Sequence, residues 1–384
     1  MSDQGGKRIA VIGLSYPFRG GIAHYSTLLV RALRERHTVR FLTLSRQYPE
    51  ILFPGKTQYD VSSRPLVETN EPIIDSINPL SWYRTAALLN RESPDLIIFQ
   101  WWHPFFGPVF GLITRFLRPV LREKICFLCH NVLPHESSPL QRVLTQYAFR
   151  HAKFFVVHSE QDERQLATLQ KGGLVTRGCH PTYAEFSQHE SYTKDEACEA
   201  LSIPKDRRTI LFFGLVRRYK GLQFLIDAMQ QVISRVPCHL LIAGEFYDDK
   251  QPYVERIQER GLNEHITVID QYIPNEQLAL YFASADLVAL PYVSATQSGI
   301  IQIAFGFGVP VITTSVGGLP EAVDHGKTGL IVEPNNAEQL AEGIIEYFER
   351  GYEDSFRQEI QRQGSRFDWS QELRHLDDFL ARAA

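Results

Sequence analysis

The sequence predicts an α/β protein built as two facing domains, each with a parallel sheet, and three observations carry that prediction. Two glycine-bearing strand-loop-helix units lie far apart: RIAVIGL from Arg8 runs into Gly20-Gly21, and LFFG from Leu211 runs into Arg217, Lys220 and Gly221. Apolar runs of strand length alternate with helix-like segments almost throughout, which implies parallel strands joined by right-handed crossovers. At 384 residues the chain also exceeds the usual size of a single core.

The elements follow in order. After a first strand from Arg8 to Leu14, apolar residues at Ile22, Tyr25, Leu28, Leu29, Ala32 and Leu33 keep helical spacing. Strands are expected at 38–44, 95–101, 124–130 and 153–158, with helices near 79–91, 104–118, 138–151 and 160–170. Residues 45–71, rich in Pro, Tyr, Ser and Gly, read as a long irregular insertion. The second half repeats the plan with strands at 209–216, 239–243, 266–269, 287–290 and 311–314. Between the halves, 178–208 is polar and weakly periodic and places a hinge near 180–200, giving domains of 1–185 and 190–366.

Composition narrows the class. The chain is 44% hydrophobic and 22% charged, an ordinary globular balance, and its net charge of −4 argues against nucleic acid as a partner. No uncharged apolar run reaches about 18 residues, and the opening MSDQGGKR lacks a secretory core, so a cytoplasmic location is expected. Five scattered cysteines fit reduced thiols rather than a disulfide framework.

The most telling stretch is LFFGLVRRYKG, Leu211 to Gly221. It puts Arg217 and Lys220 on a strand-to-helix loop, where open α/β sheets collect phosphate. Cations at a helix start oppose the helix dipole, so an anion explains them better than a solvated helix start does. Gly214, and Gly20-Gly21 in the first unit, allow close backbone approach, although a Gly-Gly pair also serves simply to shape a turn.

These residues resemble glycosyltransferase family 4. GLVRRYKGLQFLIDA (214–228), the ATQSG loop (295–299), FGFGVPVITTSVGGLPE (305–321) and GKTGLIVEPNN (326–336) look like its C-terminal half. The Gly20-Gly21 loop, the His130-Asn131 pair and VVHSE (156–160) fit its N-terminal half, and only 45–71 is poorly covered. The resemblance implies a GT-B fold: two Rossmann-like domains facing across a cleft, the second holding a nucleoside-diphosphate sugar as co-substrate and the first a hydroxyl acceptor. A final helix over 367–384 is expected to pack back on the first domain.

On this reading His130, Arg217 and Lys220 are the catalytic candidates. Donor binding falls to Gly20, Gly21, Gly214, Glu245, Thr296, Gln297, Ser298, Gly299 and Gln302. Fixed cations and backbone N–H groups stabilise the charge that develops on a leaving β-phosphate, so neither metal nor further cofactor is expected. The resemblance also implies retention of anomeric configuration. A core histidine remains the plainer reading of His130, and His24 reads as a cleft or surface residue rather than a catalyst.

One departure stands out: the family's two donor-loop glutamates align with Ala295 and Ile303, neither of which accepts a hydrogen bond through its side chain. A nucleotide-sugar epimerase and a catalytically silent sugar-nucleotide binder are therefore carried as alternatives. Cys126, Cys129 and His130 match the C-x-x-C-H haem pattern, but on a strand the two cysteines point to opposite faces. The run Trp101 to Phe106 with Arg115, Arg118 and Arg122 has two readings: membrane contact by the first domain at the inner membrane face, or a strand end and core helix.

Overall fold

The computed structural model describes residues 6–53, 56–134, 137–170, 172–187 and 191–383, and the chain divides into two compact units. The first unit takes Met1–Val61, Pro65–Cys179 and Trp369–Ala384; the second takes Ser62–Arg64 and His180–Asp368. The expected limits shift accordingly. Residues 180–187 belong to the second unit because Thr182 N donates to Phe367 O at 2.9 Å and Tyr183 packs beside Gly299.

In the first unit the order is β1 (Arg8–Gly13), α1 (Gly21–Arg34), β2 (Thr38–Arg46), β3 (Glu71–Asp75), α2 (Pro79–Glu92) and β4 (Leu96–Trp101). Next come α3 (Gly107–Phe116), α4 (Pro119–Arg122), β5 (Ile125–Cys129), α5 (Pro139–Phe149), β6 (Phe154–Val157), α6 (Glu160–Leu169) and β7 (Leu174–Arg177). The strands form one sheet, β3-β2-β1-β4-β5-β6-β7, with every pairing parallel. Two edge strands of this sheet, β3 and β7, are absent from the expected list, as is the Gly329–Val332 strand of the second unit. In β3 only Ile74 is buried, and in β7 no residue is, so neither leaves an apolar run to read.

The second unit contains α7 (Lys194–Ala200), β8 (Arg208–Phe213), α8 (Leu222–Ile233), β9 (Cys238–Ala243), α9 (Gln251–Glu259), β10 (Ile266–Ile269), α10 (Leu278–Ser284) and β11 (Leu287–Leu290). It continues through α11 (Gly299–Gly306), β12 (Val311–Thr314), α12 (Leu319–Ala322), β13 (Gly329–Val332), α13 (Ala337–Glu349) and α14 (Glu353–Arg362). Its sheet is β10-β9-β8-β11-β12-β13, again parallel throughout. The strand order reverses between β1 and β4 in one sheet and between β8 and β11 in the other. Such switch points open a crevice at the carboxyl edge of a sheet, which is where ligands bind.

A final helix, α15 (Trp369–Ala383), joins the first unit. Leu373, Leu376, Phe379 and Leu380 keep helical spacing and bury against Ile9, Val11, Tyr25, Ile98 and Leu128. Each such side chain contributes about 1.5–3 kcal/mol of burial, enough to hold the helix in place. The opposite sheet face packs Ile12, Phe99, Phe127 and Phe110. Cys126 lies in the α15 layer and Cys129 in the other, so the two thiols face apart as strand geometry requires.

Candidate functional site

At the second unit's switch point, β8 ends in Gly214, which has φ 94°. The turns after β8 and β9 are zipped together: Gly214 N donates to Ala243 O and Val216 N to Glu245 O, both at 2.9 Å. Gly244 approaches so closely that an added Cβ would stand 2.0 Å from Gly214 O. Glu245 is thereby buried beside the turn.

Beyond it, the guanidinium of Arg217 lies over the Tyr247 ring, 4.6 Å from its centroid, and is half-buried. Arg218 N is anchored by Asp248 Oδ2 at 2.7 Å. A short turn, Arg218–Lys220, then meets Gly221, whose φ of 69° brings it against Pro291 O. Val293 N donates to Tyr219 O at 2.8 Å, so the loop after β11 is locked to the loop after β8.

Lys220 is where the structure departs from the sequence reading. It was expected on a strand-to-helix loop where truncation would cost little stability, but its side chain is only 8% exposed. Its Nζ lies over the Tyr292 ring at 5.5 Å and 3.3 Å from where a Cβ on Gly214 would stand. No carboxylate ion-pairs with it among the described residues. Burial lowers its pKa, with Tyr219 pulling upward and Arg217 pushing down further. A desolvated ammonium without a counter-charge is strongly favoured by any anion that enters beside it.

The ATQSG loop joins the same place. The Tyr292 hydroxyl, which stays protonated because burial pushes its pKa to about 12 against the Ser298 hydrogen bond, lies 3.2 Å from Ser298 Oγ. Tyr292 thus connects Ser298 to Lys220. Thr296 is buried and its carbonyl accepts from Gly318 N at 2.9 Å; the Gln297 amide nitrogen is enclosed without a hydrogen-bond acceptor among the described residues. Gly299 opens α11 beside Tyr183, 3.8 Å from an added Cβ. Ile300, next along, reaches the Gly214 turn.

Gln302, two residues beyond Ile300 on α11, is buried, only 2% exposed. Ala295 is buried and Ile303 half-buried, so no carboxylate replaces the missing pair at these positions.

In the first unit Gly20 caps α1 with φ 104°, and its carbonyl accepts from Ala23 N and His24 N at 3.1 and 3.2 Å. Gly21 is exposed as the first helical residue. His24 is kept neutral, because burial draws its pKa down to about 4 against the pull of Asp60. His130 sits at the carboxyl edge between β4 and β5, where its N–H donates to Trp101 O at 2.8 Å. Its Nε2 is 2.6 Å from the buried Gln100 Oε1, and its ring stands edge-on to Tyr25 at 4.6 Å.

Sequence reasoning missed the groups behind His130. The Tyr25 hydroxyl donates to Glu372 Oε1 at 2.7 Å, and His158 Nε2 lies 3.2 Å from the same oxygen. Both ion-pair side chains are fully enclosed. Burial pulls the Glu372 pKa upward, but the charge and hydrogen bond of His158, the Tyr25 hydroxyl and His375 outweigh it and hold the carboxyl below its ordinary value. In VVHSE, then, His158 serves this network, while Ser159 caps α6 by accepting from Asp162 N.

The aromatic run proves to be core. Trp101, Pro104 and Phe106 are buried and Trp102 and Phe105 half-buried, the burial of a strand end and a core turn. Among the described residues no group of three or more His, Cys, Asp or Glu could hold a metal ion, and no helix is long and apolar enough to cross a membrane.

Comparison with known proteins agrees with this geometry. Residues 20–173 match the family described as "Glycosyl transferase 4-like domain", and 207–350 match "Glycosyl transferases group 1". An uncharacterised glycosyltransferase of Methanocaldococcus jannaschii is 31% identical over 349 residues, 88% of each chain. D-inositol 3-phosphate glycosyltransferase of Corynebacterium glutamicum is 27% identical over 219 residues, 54% of this chain and 52% of that one. Among solved structures, sucrose-phosphate synthase of Thermosynechococcus elongatus superposes with TM-score 0.73 at 21% identity, covering 98% of this chain and 100% of that one. Anabaena HepE in complex with UDP gives 0.74 at 17% identity, with 98% and 100% covered.

Proposed function

Since the chain belongs to the GT4-type glycosyltransferases and has their two-domain GT-B fold, we propose that it transfers a hexose-type sugar from a nucleoside-diphosphate sugar to a hydroxyl acceptor, with retention and without a metal. The observation that carries the donor assignment is Lys220: a buried ammonium without a carboxylate partner, next to Arg217, at the β8/β11 switch point.

As the glycosidic bond breaks, negative charge gathers on the β-phosphate. Lys220 and Arg217 stabilise it in place, without the reorganisation that water would need. The Gly214 turn and Thr296, Gln297, Ser298 and Gly299 supply backbone and small polar groups around the diphosphate, and Glu245 holds the turn. His130, fixed by Gln100, and the Gly20-Gly21 loop are the candidates that the first unit offers by itself. UDP is the preferred nucleotide, by analogy with HepE, which binds UDP and UDP-glucose. Five free cysteines suit a reducing, cytoplasmic setting.

A thermal-shift series with UDP, GDP, ADP and their sugars, run with and without EDTA, tests this reading. A UDP compound should raise the melting temperature by mass action, and EDTA should leave the rise intact. No rise with any nucleotide would overturn the donor site, and a rise that needs added Mg²⁺ would overturn metal independence. Ala295 and Ile303 favour one second reading, a catalytically silent binder, which release of free sugar or transferred product from a stabilising donor would exclude.

A further inference from the structure

We propose that the outer face of α2, α3, α4 and α5 in the first unit docks on an anionic lipid surface. These four helices form one layer on the sheet: Tyr83 of α2 stacks edge-on with Phe116 of α3 at 5.5 Å. Gly107 and Gly111 of α3 let Leu144 and Tyr147 of α5 approach so closely that added Cβ atoms would stand 2.6 and 2.2 Å from them.

The charge on this layer is one-sided. The chain as a whole carries −4, yet the four helices hold arginines at 84, 91, 115, 122 and 142 against a single acidic residue, Glu92, which pairs with Arg40. Arg84, Arg115 and Arg142 are exposed, and no ion pair involves them among the described residues. At one end, where Glu123 is paired with Lys153 at 2.9 Å, the cations lie close enough to act together on one ring. Burial first, and then Arg122, Arg150, Arg115 and Lys153, draw His151 down to about 4.

The apolar residues are interleaved with these charges. Leu80, Tyr83, Phe116, Val120, Leu140 and Val143 all stand exposed, Leu140 by 65% and Val120 by 59%. This pairing selects the partner. A membrane interface takes arginine at the headgroups and aliphatic or aromatic side chains just beneath them. A nucleic acid would neutralise the arginines but leave Leu140, Val143 and Val120 in water. The buried aromatic run plays no part, and the docking does not depend on what the second unit binds.

Sedimentation of the full chain with vesicles tests the proposal directly. It should pellet with phosphatidylglycerol-containing vesicles at low ionic strength, release in high salt, and stay in solution with pure phosphatidylcholine. The double variant Arg115→Glu, Arg142→Glu should lose binding by about tenfold or more. Leu140→Ser with Val143→Ser, which leaves the charge unchanged, should also bind more weakly. All four positions are exposed, so native melting is expected in both variants. Native-like vesicle binding by either well-folded variant would overturn the proposal. So would equal binding to both lipids, or a single-stranded oligonucleotide that displaces the protein from vesicles.

Discussion

The hydroxyl of Tyr25 donates to Glu372 Oε1 at 2.7 Å, joining α1 to α15 across 347 residues of sequence. Both side chains are fully buried, and the edge of the same Tyr25 ring is met by His130. The helix that returns to the first unit thus lies directly behind the candidate catalytic histidine.

Breaking this network should be costly. Glu372→Ala removes the carboxylate that His158 and Tyr25 share and is expected to lower stability by about 3–5 kcal/mol, while Tyr25→Phe removes one hydrogen bond to it and costs about 1–2 kcal/mol. Urea unfolding measures both, and equal, negligible losses would show that the network does not stabilise the fold.

The same carboxyl sets a pH dependence. Its folded pKa lies below the ordinary 4.5, so its contribution is complete above that value and is lost as pH falls through the folded value. Glu372→Gln should therefore flatten the acid limb of the stability curve below the ordinary carboxylate range. Parallel acid limbs for variant and native protein would rule this out.

Lys220→Met should separate stability from binding. Because burial lowers the folded pKa of Lys220, its charged form carries a penalty that is present below the folded value and fades as pH rises through it. Removing the charge should keep or raise the melting temperature. It should also weaken UDP binding roughly thirtyfold or more, the loss of about 2 kcal/mol from a charge-assisted hydrogen bond. Unchanged UDP affinity in isothermal titration would remove Lys220 from the donor site.

Two glycines should differ sharply. An added Cβ at Gly221 meets Pro291 O at 1.9 Å in addition to the strain of φ 69°, whereas Gly20 at φ 104° has open space around it. Gly221→Ala should therefore unfold well before Gly20→Ala, whose cost is confined to about 1–3 kcal/mol of backbone strain. Melting curves in the reverse order would contradict the packing of the β8 and β11 loops.

His151 offers a spectroscopic check on the cation cluster. Its ring should titrate near 4, and Arg115→Ala or Arg122→Ala should each move the midpoint toward the ordinary 6.5. Imidazole chemical shifts followed against pH measure this directly, and a midpoint unmoved by both substitutions would mean that burial alone sets the value.

Much of the fold was legible because its signals are local. The β1, β4, β5, β8 and β11 strands are buried along their length and leave apolar runs in the sequence; β3 and β7 lie at sheet edges and leave none. Arg217 and Lys220 were found because a buried strand, a glycine and a helix start bracket them within a few residues. Tyr292 and Tyr247 were not, since nothing near them in sequence shows that their rings lie under those two cations.

The sequence by itself determined the alternation of strand and helix, the parallel sheets and the two glycine-bearing loops, because backbone periodicity and turn chemistry depend on neighbours a few residues away. The tertiary structure alone decided that Lys220 is desolvated between Gly214 and Tyr292 and that Glu372 meets His158 across 214 residues. Burial and charge energies are set by what packs around a group, and here those neighbours arrive from loops and helices that the order of residues does not pair.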